Sequence, residues 1–267
     1  MGAPFDDLAS LRGFVFDLDG CVWTGNVLSP GARETLAALS AAGRRVAVIS
    51  NNSRATGAEL AARLRDLGVT VADPDVLTPL DIIGRVIAEA YGRSRVLVMG
   101  ADELARAVAG AGHEIVEFKR YREAGVVVVG NDFDLTYERL TVAARAAAAG
   151  APLVTPNVDP RLPIEDGDFL PGCGAIVRAV ATAADRPVVV VGKPEPPLFR
   201  IALERLGLGP AETAMVGDSV PSDIRGGRGA GMRTVLYAPS GAASDANADV
   251  VVASFAELAE KIVGPRR

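Results

Sequence analysis

Two carboxylates one residue apart, Asp17 and Asp19, close the apolar run Phe14-Val15-Phe16 and are followed at once by Gly20. A short apolar run bounded by turn formers reads as a strand buried on both faces. Side chains alternate along a strand, so the two acids point the same way where the strand runs out. Such a pair can share a cation, divide the work of nucleophile and acid, or repel at a cost. The bland alternative is a strand followed by an ordinary Asp-Gly turn. Three further stretches bear on the choice. Arg45–Ile49 reads as a buried strand ending in Ser50-Asn51-Asn52-Ser53, and Val188–Val191 as one ending in Gly192-Lys193-Pro194. Ala214–Val216 runs into Gly217-Asp218, with another acid, Asp223, five residues on. In a parallel sheet these polar strand ends converge on one edge, where open α/β sheets bind ligands.

Carboxylates with no histidine or cysteine partner suit a hard cation, most often Mg²⁺. A serine hydroxyl, an amide and a lysine (Ser50, Asn51 and Lys193) suit a phosphoryl group. A charge pair at ~4 Å contributes about 4 kcal/mol at an effective dielectric of about 20. Only together with a metal does that offset the repulsion between an anionic nucleophile and an anionic substrate. The set reads as phosphoryl transfer.

The elements that must position these groups alternate strand and helix. Ser29-Pro30 has the chemistry of a helix start, with Leu36 and Leu39 on its apolar stripe and Gly43 as its stop. A second helix spans Ala55–Leu67. The alternation predicts an α/β fold with a doubly wound parallel sheet. Thr24–Pro30 reads as a loop or short flap, with Trp23 as core or flap base and a substrate contact as the alternative. From Pro79 the polar strand ends stop for a long stretch. Strands at Arg95–Met99, Gly125–Val129 and Pro152–Thr155, with helices at Ala101–Ala109 and Tyr137–Ala149, mark an α/β unit inserted into the first. The expected division is residues 1–79 and 185–267 for the core and 80–184 for the insertion. Thr234–Tyr237, Val250–Val252 and a helix over Phe255–Val263 complete the core. At 267 residues two units are expected, given roughly 100–200 residues per domain.

Composition removes several classes. A net charge of −5 argues against a general nucleic-acid surface. No apolar run reaches the ~18 residues of a membrane span, and MGAPFDDLAS has no signal-peptide pattern. Asp6 occupies the Ser/Thr position of a myristoylation signal. Cys21 and Cys173 are too few for a disulfide framework, and a reducing cytoplasm is the simplest location. His113, the only histidine, reads as a surface residue in a turn, which sets aside Ser-His-Asp and His-metal chemistry. The Gly192-Lys193-Pro194 stretch is no Walker loop, and Gly226–Gly231 lacks the order of a dinucleotide fingerprint. Pro171-Gly172-Cys173-Gly174 leads into a helix over Ala175–Ala184, either as an anion site or as an ordinary Gly-rich start.

DLDG at 17–20, SNNS at 50–53, GKP at 192–194 and GDSVPSD at 217–223 together resemble, in order, the four motifs of the haloacid dehalogenase superfamily of phosphatases. The insertion between the second and third resembles the α/β cap of its NagD-like branch, which includes phosphoglycolate, glycerol-3-phosphate, pyridoxal-phosphate and nitrophenyl phosphatases. The resemblance implies a nucleophile at Asp17 that forms an aspartyl-phosphate, and an acid and base at Asp19. It implies Mg²⁺ held by the Asp17 side chain, the Asp19 backbone carbonyl and Asp218, with Asp223 behind them or acting through water. Ser50, the Asn51 amide and Lys193 would hold the phosphoryl oxygens. The transport ATPases resemble this core but carry Thr at the position of Asp19; an Asp suits fast hydrolysis of phosphate esters. Cys21 departs from the usual Thr or Val and reads as packing.

Specificity is expected in the cap, at Asn157, Arg161 and Gly172. The loop Asp159–Gly167 looks most like the phosphoglycolate and glycerol-3-phosphate members. Arg161 is expected either to favour a small polar or anionic leaving group or to be a solvated side chain bonding Asp166. The expected substrate is 2-phosphoglycolate or glycerol 3-phosphate in type. Pyridoxal phosphate, nucleotides and sugar phosphates are the alternatives, with a phosphomutase or a silent binding protein further off. The expected partner is a small phosphorylated metabolite, with no nucleic acid or membrane. A homodimer through the cap follows from the resemblance alone.

Overall fold

The computed structural model describes residues 8–164, 167–241 and 248–264. The chain divides into two units, one holding the residues up to Ser50, Gly57–Leu77 and Lys193 onward, the other Asn51–Thr56 and Thr78–Gly192.

The first unit opens on β1, Gly13–Asp17, with every residue buried. A turn leads into a hairpin of β2, Trp23–Thr24, and β3, Val27–Leu28. The expected flap is therefore a closed hairpin. Ser29 ties it down rather than capping a helix: its hydroxyl donates to the Cys21 carbonyl and its N–H to that of Val22. The helix α1, Ala32–Ala41, starts after Gly31. Next come β4, Arg45–Ile49, α2, Gly57–Asp66, and β5, Val76–Leu77.

The second unit takes up the chain at Thr78. Its N–H and hydroxyl both bond the Asp81 carboxylate, at 2.7 and 2.8 Å, in a capping box that opens α3, Pro79–Tyr91. It continues through β6, Arg95–Met99, α4, Asp102–Gly110, β7, Glu114–Ile115, and β8, Val126–Val129. Then follow α5, Tyr137–Ala148, β9, Leu153–Thr155, an antiparallel pair of β10, Arg161–Pro163, and β11, Phe169–Pro171, then α6, Cys173–Ala184, and β12, Val188–Val190. Five strands form a parallel sheet in the order β12-β9-β8-β6-β7. Leu97, Val127, Val129 and Leu153 of this sheet pack with Val177 and Val180 of α6 and with Ala143 and Ala147 of α5. The alanine run thus serves close packing.

Back in the first unit stand α7, Pro196–Leu206, β13, Thr213–Gly217, a π-helical turn over Val220–Ile224, α8, Arg225–Gly229, β14, Arg233–Tyr237, β15, Val250–Val252, and α9, Phe255–Val263. Its six-stranded sheet runs β15-β14-β13-β1-β4-β5 with every pairing parallel. From β1 the chain builds outward through β4 and β5, then resumes on the other side at β13. The strand order therefore reverses between β1 and β13, the position at which open α/β sheets bind ligands.

Three expectations need correction. The insertion is not 80–184: Thr78 belongs to it as the cap of α3, and Val188–Val190 belongs to it because it pairs with Leu153–Thr155. Asn51–Thr56 joins it as well. Lys193 consequently does not end a strand of the first sheet; it follows the last strand of the second. His113 is buried rather than on the surface. Its Nδ1 accepts from the Ser94 N–H at 3.2 Å, and its Nε2 lies 2.9 Å from the Gly84 carbonyl, so the ring satisfies two main-chain groups. Among the described residues, no helix is long and apolar enough to cross a membrane.

Candidate active site

Asp17 is the last residue of β1, beside Ile49 of β4. Lys193, only 3% exposed, donates through Nζ to Asp17 Oδ1 and, at 2.7 Å, to Asp223 Oδ1. Asp223 is wholly buried and firmly held. Its Oδ1 also accepts from the Ser222 hydroxyl at 3.1 Å, and its Oδ2 from the Ser219 N–H at 3.1 Å. The π-helical turn after β13 brings it back against Gly217, where a Cβ would overlap the Asp223 carboxylate. Asp218 directly follows β13. One carboxylate oxygen each from Asp17, Asp218 and Asp223 lies within 4.8 Å of the others. Gly20 completes the approach: its φ of +93° disfavours any side chain, and a Cβ there would strike the Asp218 carboxylate.

This crowding shows in the acidities. Burial pushes the Asp17 carboxyl well above its ordinary value; Lys193 pulls against that, while Asp223 and Asp218 add to it. Burial raises Asp218 too, with Asp223 next in weight. For Lys193 burial alone would favour the neutral amine, but Asp17 and Asp223 reverse this and hold the ammonium above its usual range. Three carboxylates face one ammonium, which leaves surplus negative charge on an all-oxygen donor set. That is the chemistry of a hard divalent cation site.

Asp19 is exposed, but both its oxygens are engaged. Trp23 Nε1 donates to Oδ1 and the Ser50 hydroxyl to Oδ2, each at 2.8 Å. Beneath this turn Cys21 is buried with its Sγ toward the Val216 carbonyl at 3.9 Å, and burial pushes its thiol up. The first unit therefore brings together Asp17, Asp19, Ser50, Lys193, Asp218 and Asp223.

The other expected residues lie in the second unit. The Asn51 carbonyl accepts from Asn157 Nδ2 at 2.7 Å, and the Ser53 hydroxyl accepts from Asn131 Nδ2 at 3.0 Å. The Gly172 N–H donates to the Pro160 carbonyl at 3.0 Å and that of Gly174 to Asp159 at 2.9 Å. These N–H groups at the start of α6 are thus taken by the chain's own carbonyls. A Cβ at Gly172 or Gly174 would overlap the backbone of Asp159 or Val158, so close packing accounts for both glycines. The Arg161 guanidinium stacks over the Phe169 ring, 4.2 Å from its centroid. Its alternative partner Asp166, and Glu165 of the same loop, lie outside the described residues.

Family models for "Haloacid dehalogenase-like hydrolase" and "HAD-hydrolase-like" match residues 14–114 and 190–258. Mouse chronophin is 36% identical over 242 residues, covering 86% of this chain and 82% of its own. Human glycerol-3-phosphate phosphatase is 36% identical over 256 residues, covering 86% and 79%. The solved p-nitrophenyl phosphatase from Archaeoglobus fulgidus superposes with a TM-score of 0.84 at 31% identity, over 94% of this chain and 99% of that one. The chain belongs to the haloacid dehalogenase-like hydrolases.

Within this haloacid dehalogenase-like chain, sequence reasoning did not find the grip on Asp19. An indole four residues after an acid is a visible signal, but only the turn that folds the two together gives it meaning. The Gly20 N–H donates to the Trp23 carbonyl at 2.7 Å, and the Trp23 N–H to the Leu18 carbonyl at 3.0 Å. Ser219 and Ser222, which hold Asp223, were missed for the same reason.

Proposed function

We propose that this chain hydrolyses small phosphate monoesters with Mg²⁺, through an aspartyl-phosphate on Asp17. Its similarity over most of the chain to proteins named as phosphatases supports a phosphoric monoester hydrolase; cofactor, intermediate and substrate are the proposal. The observation that carries it is the Lys193 ammonium bonded to both Asp17 and Asp223 beside Asp218.

The Asp17 side chain, the Asp218 side chain and the Asp19 main-chain carbonyl would hold the cation; Asp223, with both oxygens engaged, would instead anchor Lys193. When bound, Mg²⁺ supplies positive charge that screens the phosphoryl group from the carboxylates. An Asp17 oxygen attacks phosphorus, the new O–P bond forms as the ester P–O bond breaks, and the leaving oxygen takes a proton from Asp19. Water then attacks phosphorus and gives its proton to Asp19, the Asp17 O–P bond breaks, and inorganic phosphate leaves. Ser50, the Asn51 amide and Lys193 would hold the phosphoryl oxygens.

The substrate reading is a two- or three-carbon ester such as 2-phosphoglycolate or glycerol 3-phosphate. The loop around Arg161 and the similarity to human glycerol-3-phosphate phosphatase support it. The test is phosphate release with Mg²⁺ across these esters, pyridoxal phosphate, nucleotides, sugar phosphates and 4-nitrophenyl phosphate. A preference for the small esters, abolished in Asp17→Asn, is expected. Equal rates throughout would discard the substrate, and activity surviving in Asp17→Asn would discard the mechanism.

A further inference from the structure

We infer that Trp23 is a positioning residue for Asp19, fixing the direction in which its carboxyl group points. The inference rests on the reading of Asp19 as acid and base. Asp19 is exposed on its turn, and a short acid side chain there would otherwise sample several rotamers. Trp23 is 1% exposed and immobilised from several sides. Its main chain closes the turn through Gly20 and Leu18 and pairs with Leu28 across the hairpin. The Arg63 guanidinium lies 4.9 Å from its ring centroid, while Arg63 Nη2 bonds Asn26 of the same hairpin at 2.5 Å.

The two donors to Asp19 are not equivalent. An indole N–H can only donate, along a direction fixed by its ring, so the bond to Oδ1 holds that oxygen in one place. The Ser50 hydroxyl rotates and can donate or accept, so its bond to Oδ2 sets the direction of the carboxyl group less strictly. The pair therefore engages both carboxyl oxygens, and the rigid indole fixes the direction of the carboxyl group.

The experiment compares leaving groups. Trp23→Phe keeps the packed ring and removes the N–H. In kcat/KM, which spans the step in which the ester bond breaks, glycerol 3-phosphate needs the leaving oxygen protonated, whereas 4-nitrophenyl phosphate expels a stable phenolate. Trp23→Phe should cost about tenfold or more on the alkyl ester and under about threefold on the aryl ester, a share of the roughly 10²–10⁴ that a positioned acid supplies. This ratio is unaffected by any fraction of unfolded enzyme. Equal losses on both esters, or none, would overturn the inference. Asp19→Ala separates it from the reading beneath it: equal losses on both esters in that variant would remove the acid assignment itself. Because Trp23 is the only tryptophan, its emission tests the contact directly. A shifted emission in Asp19→Ala is expected, and an unchanged spectrum would contradict the hydrogen bond.

Discussion

The Lys193 ammonium reaches two buried carboxylates at once, Asp17 at the end of β1 and Asp223 on the turn after β13. Lys193→Met should leave both carboxylates without their counter-charge. We expect a loss of about 3–5 kcal/mol in urea unfolding without cation, as for other buried pairs stripped of one partner. Turnover should fall by about 10²-fold or more, the scale for removing a preorganised charge donor. Intact turnover in a folded variant would contradict the assignment.

Gly20 serves both the turn and the cluster. Gly20→Ala must adopt a left-handed φ and push a methyl group toward Asp218. A stability loss of about 1–3 kcal/mol is expected from strain and displacement together. Mg²⁺ affinity by titration calorimetry should weaken as well. Unchanged affinity would mean that Asp218 does not hold the ion.

Cation and pH are linked through Asp17 and Asp218. Both carboxyl pKa values are raised above the ordinary 3.8 in the fold, chiefly by burial. The folded state therefore binds more protons than the unfolded chain above that value. Without cation, the stability these groups contribute is fully present below the unfolded value and is lost as pH rises through the folded values. A divalent cation replaces those protons. Thermal melts with and without Mg²⁺ should differ more near about pH 7 than near about pH 4, where protonation competes with binding. A shift independent of pH would count against these acids as ligands.

Arg161 carries its charge over the Phe169 ring, on β10 and β11. If it favours small anionic esters, Arg161→Ala should raise KM for 2-phosphoglycolate by about tenfold, the scale of one charge-assisted contact. The KM for 4-nitrophenyl phosphate should barely move. Equal KM values in both enzymes across the panel would remove Arg161 from recognition.

Much of the first unit was legible because its signals are local. Phe14-Val15-Phe16 ahead of Asp17, and Ala214–Val216 ahead of Asp218, announce buried strands whose ends carry the acids. Lys193 was misplaced because a strand does not encode its partner: Val188–Val190 reads the same whichever sheet receives it, and it pairs with Leu153–Thr155. Val76–Leu77 is two residues long and has no period to detect. His113 looked like a surface residue because the groups it satisfies, at Ser94 and Gly84, lie far along the chain.

The most direct test of the account is acid-quenched incubation of enzyme with Mg²⁺ and an active ester, followed by peptide mass spectrometry. The account predicts a phosphoryl group on the peptide containing Asp17, and neither label nor phosphate release in Asp17→Asn. Phosphate release that persists in Asp17→Asn would contradict it.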